Sequence, residues 1–152
     1  MLNQGDKHFL LTGDLEEDGE EKLVEYNDLP EVELFKAGHH GSKTSSNDCL
    51  LSVIKPKIVC VCCCAGTDEY ADIPENQFPT QAMIDRVSAY TRNVYVTSLG
   101  DNSAPNGYVP MNGNIVVTSN RDGVGVECSN NNTLLKDTEW FKENRTCPDG
   151  WK

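Results

Sequence analysis

Ala37-Gly38-His39-His40-Gly41-Ser42-Lys43-Thr44-Ser45-Ser46 places two adjacent histidines between glycines, after a short apolar run and before a string of hydroxyls. The preceding run, Val32 to Ala37, is rich in strand formers, and Gly38 and Gly41 permit backbone geometries that other residues resist. A strand is therefore predicted to end where the histidines begin. Imidazole is a common transition-metal ligand and titrates near neutral pH, so a pair on a loop beyond a strand suits metal binding, proton transfer, or both. A surface pair with no role is the plain alternative.

A second stretch upstream has the same construction. Phe9-Leu10-Leu11-Thr12-Gly13-Asp14 is an apolar run that ends in a glycine and then an acid. A carboxylate at a strand end can bridge two divalent ions through its two oxygens while a histidine supplies nitrogen to one of them. Alternatively, Asp14 caps the helix expected over Glu16 to Tyr26, whose acids suit a helix N-terminus. Leu15, Leu23 and Tyr26 are the sparse apolar contacts of that helix, so most of it should face water.

Taken in order, LLTGD, a helix, a strand, GHHGSKTSS, a second helix and KPKIVCVCCCAG resemble the C-terminal half of a metallo-β-lactamase-fold hydrolase. They are most similar to the soluble hydrolase domain of the ComEC competence proteins. The match runs over about Leu2 to Leu99, and GNIVVTSN looks like that family's closing strands. The resemblance implies an α/β fold: one αβ half of a four-layer αβ/βα sandwich, with a mixed sheet flanked by helices. It would occupy residues 1–128, with a C-terminal helical extension over 129–152.

The same resemblance implies a zinc site, with two ions in the complete domain. Asp14 would bridge the ions, His40 would be a metal ligand, and His39 would be catalytic or face the substrate. A metal-bound hydroxide oriented by Asp14 would attack an ester or phosphodiester, with Ser42, Lys43 and Thr44 on an anionic substrate unless they form only a solvated turn. The family's HxHxDH cluster and a further histidine ligand would lie N-terminal to this segment, and neither is among these residues. His8, the remaining histidine, falls inside the strand expected over Lys7 to Thr12. Where the family often carries a histidine beside proline, this chain reads Asn76-Gln77-Phe78-Pro79. The alternative function is therefore a catalytically inactive half-domain that pairs with the missing half or with another copy. In either case a doubly apolar sheet should leave one face exposed, self-associated, or covered by a Leu134 to Phe141 helix.

A chain of 152 residues, 38% hydrophobic and 24% charged, suits one soluble domain or part of one. Its net charge of -11 repels phosphate backbones and argues against general nucleic-acid binding. Lys36, Lys43, Lys55 and Lys57 are the only bases gathered in sequence near the proposed site. No run is long enough to span a bilayer, and Met1 to Asp6 lacks the character of a signal peptide. Four of the seven cysteines, Cys60, Cys62, Cys63 and Cys64, lie in one expected strand, where they read as small hydrophobes filling a buried parallel strand. With their odd total, this favours a reducing, cytoplasmic setting, although Cys128 and Cys147 could pair under oxidising conditions.

Gly5-Asp6 signals a hairpin joining Met1–Asn3 to the next strand, and a start in mid-strand would be expected of a truncated or divided domain. A helix capped by Ser46 or Asn47 should run to Ile54, followed by a strand over Lys57 to Cys64 and a loop over Ala65 to Pro79 at the site edge. Thr80 to Tyr90 carries a helical stripe of Ala82, Met83, Val87 and Tyr90, and Asn93 to Leu99 reads as a strand. Gly100 to Gly113 is expected as an inserted polar loop, Asn114–Ser119 and Val124–Cys128 as a hairpin, Ser129–Asn132 as a linker, and Thr133–Asn144 as a short helix. Asp14 and both histidines should meet at one edge of the sheet.

Overall fold

The computed structural model describes residues 1–68 and 71–152. Strands β1 (Leu2–Gln4), β2 (Lys7–Leu11), β3 (Leu34–Lys36), β4 (Ile58–Ala65), β5 (Val94–Gly100) and β6 (Tyr108–Pro110) lie side by side in chain order in one mixed sheet. β2 to β5 run parallel, and β1 and β6 close the edges antiparallel. Parallel neighbours cannot be joined by a tight turn. The crossovers are α1 (Glu17–Glu25), α2 (Asp48–Ile54) and α3 (Gln81–Ser88), giving an α/β sheet flanked by helices.

The pleat sorts the apolar residues. Register aligns Leu10, Phe35, Val59 and Val94 across the sheet, with Val61 and Val96 one pleat further along. All are at most 3% exposed and share one core with Leu50, Leu51 and Ile54 of α2 and Met83, Ile84 and Val87 of α3. On the other face stand Phe9, Leu34 and Ile58. A separate hairpin, β7 (Ile115–Asn120) with β8 (Gly123–Cys128), meets part of that face. An apolar trough remains between Leu2, Phe9, Leu11 and Leu34 on the sheet and Val117 on the hairpin, with Leu2 65% and Leu11 51% exposed.

Several expectations are corrected. The polar stretch expected from Gly100 to Gly113 contains the edge strand β6, and its Asn112 is fully buried. Asn112 accepts the Val96 N–H at 2.7 Å and donates to the carbonyls of Asn131 and Thr133, which makes the expected 129–132 linker a wired junction. The C-terminal helix is shorter than expected: a 3-10 turn at Leu135–Asp137, then α4 (Glu139–Asn144). Leu135, Phe141 and Trp151 join the helix-side core and leave the trough uncovered. The cysteine strand is not buried throughout, since Cys62 is exposed at a bulge. In α1, Tyr26 at its C-cap is exposed, whereas Glu20 is fully buried. Asp14 does not cap α1, because the N-cap position is Glu16. Within the loop expected over Ala65 to Pro79, residues 69–70 lie outside the described residues, and Pro74–Asn76 forms a 3-10 turn. Among the described residues, no helix is long and apolar enough to cross a membrane.

Trp151 is 3% exposed, packs at 5.6 Å between ring centroids on Phe141, and donates its Nε1–H to the Thr91 carbonyl at 2.8 Å. Trp151→Ala is therefore expected to cost about 3–5 kcal/mol, measured by urea unfolding. A change near zero would show that the C-terminus is not part of the core.

Candidate functional site

β2 and β3 are adjacent and parallel, so the loops that follow them leave the same edge of the sheet, where open α/β sheets hold ligands. Asp14 follows β2, and His39 and His40 lie in the Gly38–Gly41 turn after β3. The two loops are tied directly, because the His39 N–H donates to the Gly13 carbonyl at 3.0 Å. His40 Nε2 lies 3.6 Å from Asp14 Oδ1, and the two imidazole centroids are 6.3 Å apart. The expected juxtaposition of Asp14 with both histidines is present.

Both histidines have left-handed backbones, with φ/ψ of 44/48 for His39 and 56/21 for His40. For residues with a Cβ this costs about 1–2 kcal/mol each, and it persists only where the surroundings over-determine the chain. Those surroundings are evident. Gly41 has φ +86, and a Cβ there would press on Met83, Pro79 and Val61 at 3.0–3.1 Å. Its carbonyl accepts both the N–H and the hydroxyl of Thr80. Gly38 donates its N–H to Ser46 Oγ at 3.2 Å.

Beyond the histidines, the loop is clamped from two sides. The buried Glu20 carboxylate accepts the Ser46 N–H at 2.7 Å and, at 2.9 Å each, the Asn47 N–H and side-chain amide. Arg86 of α3 donates to the carbonyls of Ser46, Lys43 and Ser45 at 2.8–3.0 Å. An acid from α1 thus holds the two residues that lead into α2, whose N-cap is Asn47, one of the two residues predicted for that position.

Each imidazole has its own orienting partner. His40 Nδ1 lies 2.8 Å from the Cys62 carbonyl, and His39 Nδ1 lies 3.2 Å from Glu16 Oε1, which also accepts the Thr44 hydroxyl at 2.7 Å. Phe78 stands over the pair, 6.0 Å from His39 and stacked at 22° on His40. Arg145 holds the loop bearing Phe78 by donating to the carbonyls of Pro79 and Gln77, with its guanidinium 4.8 Å from the Trp140 ring centroid. Burial lowers the Arg145 pKa from its ordinary value, but an arginine side chain stays charged.

Of the residues expected on substrate, Ser42 is buried with its hydroxyl on Thr44, Thr44 serves Glu16, and the exposed Lys43 ammonium donates to Asn76. Lys55 and Lys57 pair with Glu31 and Glu33 at the opposite end of β4, away from the histidines. Desolvation pushes the Cys60 thiol up to about 12 and raises that of Cys63, as suits thiols packed in the strand.

A zinc ion needs about four donors, or three with an open position. Asp14 and His40 present two, and among the described residues no group of three or more His, Cys, Asp and Glu side chains could hold an ion. The residues fit one side of a metal centre and do not fit a complete one. Glu16, Glu20, Arg86 and the Cys62 carbonyl escaped the sequence reading. Nothing local distinguishes Glu20 from the acids around it, and a backbone carbonyl leaves no mark in sequence. Phe78 was recognisable only as part of a loop at the site edge.

The chain is similar to three known proteins. It is 28% identical over 112 residues to recombination protein 2 of Haemophilus influenzae, covering 74% of this chain and 12% of that protein. To competence protein ComA of Neisseria gonorrhoeae it is 33% identical over 96 residues, covering 62% and 13%. To ComE operon protein 3 of Bacillus subtilis it is 34% identical over 56 residues, covering 37% and 7%. The chain thus spans about an eighth or less of each relative, and these weak similarities support a relationship to competence proteins. No family profile and no solved structure matches it.

The left-handed backbone at His39 reverses the usual ranking of small residues. His39→Gly is expected to be more stable than His39→Ala by about 1 kcal/mol, read from paired thermal or urea unfolding. An alanine variant equal to or more stable than the glycine variant would show that the turn is not held left-handed.

Proposed function

We propose that this chain supplies half of the active site of a metal-dependent hydrolase, as the C-terminal part of a metallo-β-lactamase-like domain that cleaves an ester or phosphodiester. The observation that carries this reading is the pairing of Asp14 Oδ1 with His40 Nε2, 3.6 Å apart at the ends of adjacent parallel strands on a strained turn. The similarity to competence proteins and the order of the motifs support it. Asp14 and His40 would hold zinc together with donors from outside these residues, and a bound ion of that kind supplies a nucleophilic hydroxide at neutral pH.

The remaining roles fall to this chain. Glu16 holds the Nδ1 side of His39, which presents the opposite nitrogen to a leaving oxygen for proton transfer. Phe78 covers one face of the imidazoles. The open trough along Leu2, Leu11 and Leu34 would take the rest of the domain or a second copy. The incomplete donor set favours a second reading, an inactive half-domain whose role is that pairing.

With zinc or manganese and bis(p-nitrophenyl) phosphate, the chain alone is expected to turn over at background. A longer polypeptide carrying the HxHxDH segment ahead of it is expected to be active, and to lose about 100-fold or more in Asp14→Ala or His40→Ala. An inactive longer polypeptide would favour the second reading. Activity that survives both substitutions would refute the assigned site, and robust turnover by the chain alone, lost in Asp14→Ala, would refute the half-site.

A further inference from the structure

β4 and β5 pair in register to Val61 opposite Val96 and resume at Cys64 opposite Ser98. β4 therefore carries one residue more than its partner, and Cys62 and Cys63 together oppose Thr97, a β-bulge of the kind that re-aims groups beside a site. The Thr97 side chain fills the gap in the ladder. Its Oγ1 accepts the Cys63 N–H at 3.1 Å and donates to the Cys63 carbonyl at 2.8 Å. With one hydroxyl serving both polar groups of Cys63, the neighbouring Cys62 carbonyl meets His40 Nδ1 at 2.8 Å.

A carbonyl oxygen only accepts hydrogen bonds, so Nδ1 must carry the proton, and in the neutral ring Nε2 is then the lone-pair nitrogen. Nε2 is the atom that lies 3.6 Å from Asp14 Oδ1. His39 takes its orientation from a different partner, Glu16, so the two rings are set independently.

We infer that Thr97 is a positioning residue: by holding the bulge it fixes His40 in the Nδ1-protonated tautomer, with Nε2 turned toward Asp14 as an electron-pair donor. Its value to catalysis rests on the reading of His40 as a metal ligand, but the orientation itself needs no metal.

Nitrogen-15 NMR of the imidazoles in the full chain, at alkaline pH where they are neutral, reads this directly. Wild-type His40 is expected to carry its proton on Nδ1. Thr97→Val, close in shape but without the hydroxyl, should lower the Nδ1-H to Nε2-H ratio about tenfold, the ratio that one net hydrogen bond sustains. Thr97→Ser should keep the wild-type tautomer. Cys62→Ala should also keep it, because the contact is through the backbone, and His8 and His39 should be unchanged throughout. A wild-type His40 protonated on Nε2, or a folded Thr97→Val with an unaltered ratio, overturns the proposal. Hydrogen exchange decides whether or not that variant folds: the wild-type Cys63 amide should be protected, and an unprotected one also overturns it. If a completed domain fails to hydrolyse esters while the tautomer behaves as stated, the hydrolase reading falls and the role of Thr97 stands.

Discussion

The backbone of His39 and His40 is held in a conformation that neither residue prefers, and the arrangement of the site depends on that restraint. Relaxing the turn would rotate Nε2 of His40 away from Asp14 and separate His39 from Glu16. The restraint comes from parts of the chain far apart in sequence: Gly13 after β2, Glu20 in α1, Thr80 and Arg86 at α3. A buried carboxylate costs several kcal/mol in desolvation unless its oxygens are satisfied. Here three N–H groups satisfy them, two from the backbone of Ser46 and Asn47 just ahead of α2. The acid ties α1 to the end of the loop that leads into α2.

The same loop is braced from the C-terminal side. Arg145 fastens the segment that carries Phe78 over the histidines, and Arg145 is itself placed by α4, whose Phe141 lies in the helix-side core beside Trp151. Site geometry and core packing are therefore coupled: damage to the packing of residues 135–151 would reach the imidazoles through Phe78. The two sheet faces differ accordingly. The helix side is closed and carries the supports of the site, while the other side keeps Leu2 and Leu11 more than half exposed.

Charge adds selectivity to this arrangement. Asp14 and Glu16 lie at the histidines, and the lysines at the start of β4 are matched by Glu31 and Glu33 at the far end of the strand. With a net charge of -11, the chain as a whole repels anions.

The sequence by itself determined the order of the strands and helices other than β6, and the two loops that matter. Period-two apolar runs, Gly5-Asp6, Asn120 to Gly123 and the glycines around His39-His40 are local signals, and strand ends at Asp14 and His39 follow from them. Local signals also placed the cysteines of β4 in a strand. Tertiary structure alone decided which acid would be buried: Glu20 resembles its neighbours until Ser46 and Asn47, just ahead of α2, bring three N–H groups to it. It alone decided that Tyr108–Pro110 would pair with β5, because an edge strand this short is stabilised by its partner and not by propensity. It also decided how His40 is oriented, since the extra residue in β4 is defined only against Thr97 on the adjacent strand, and a carbonyl's direction is a property of pairing that no residue type encodes.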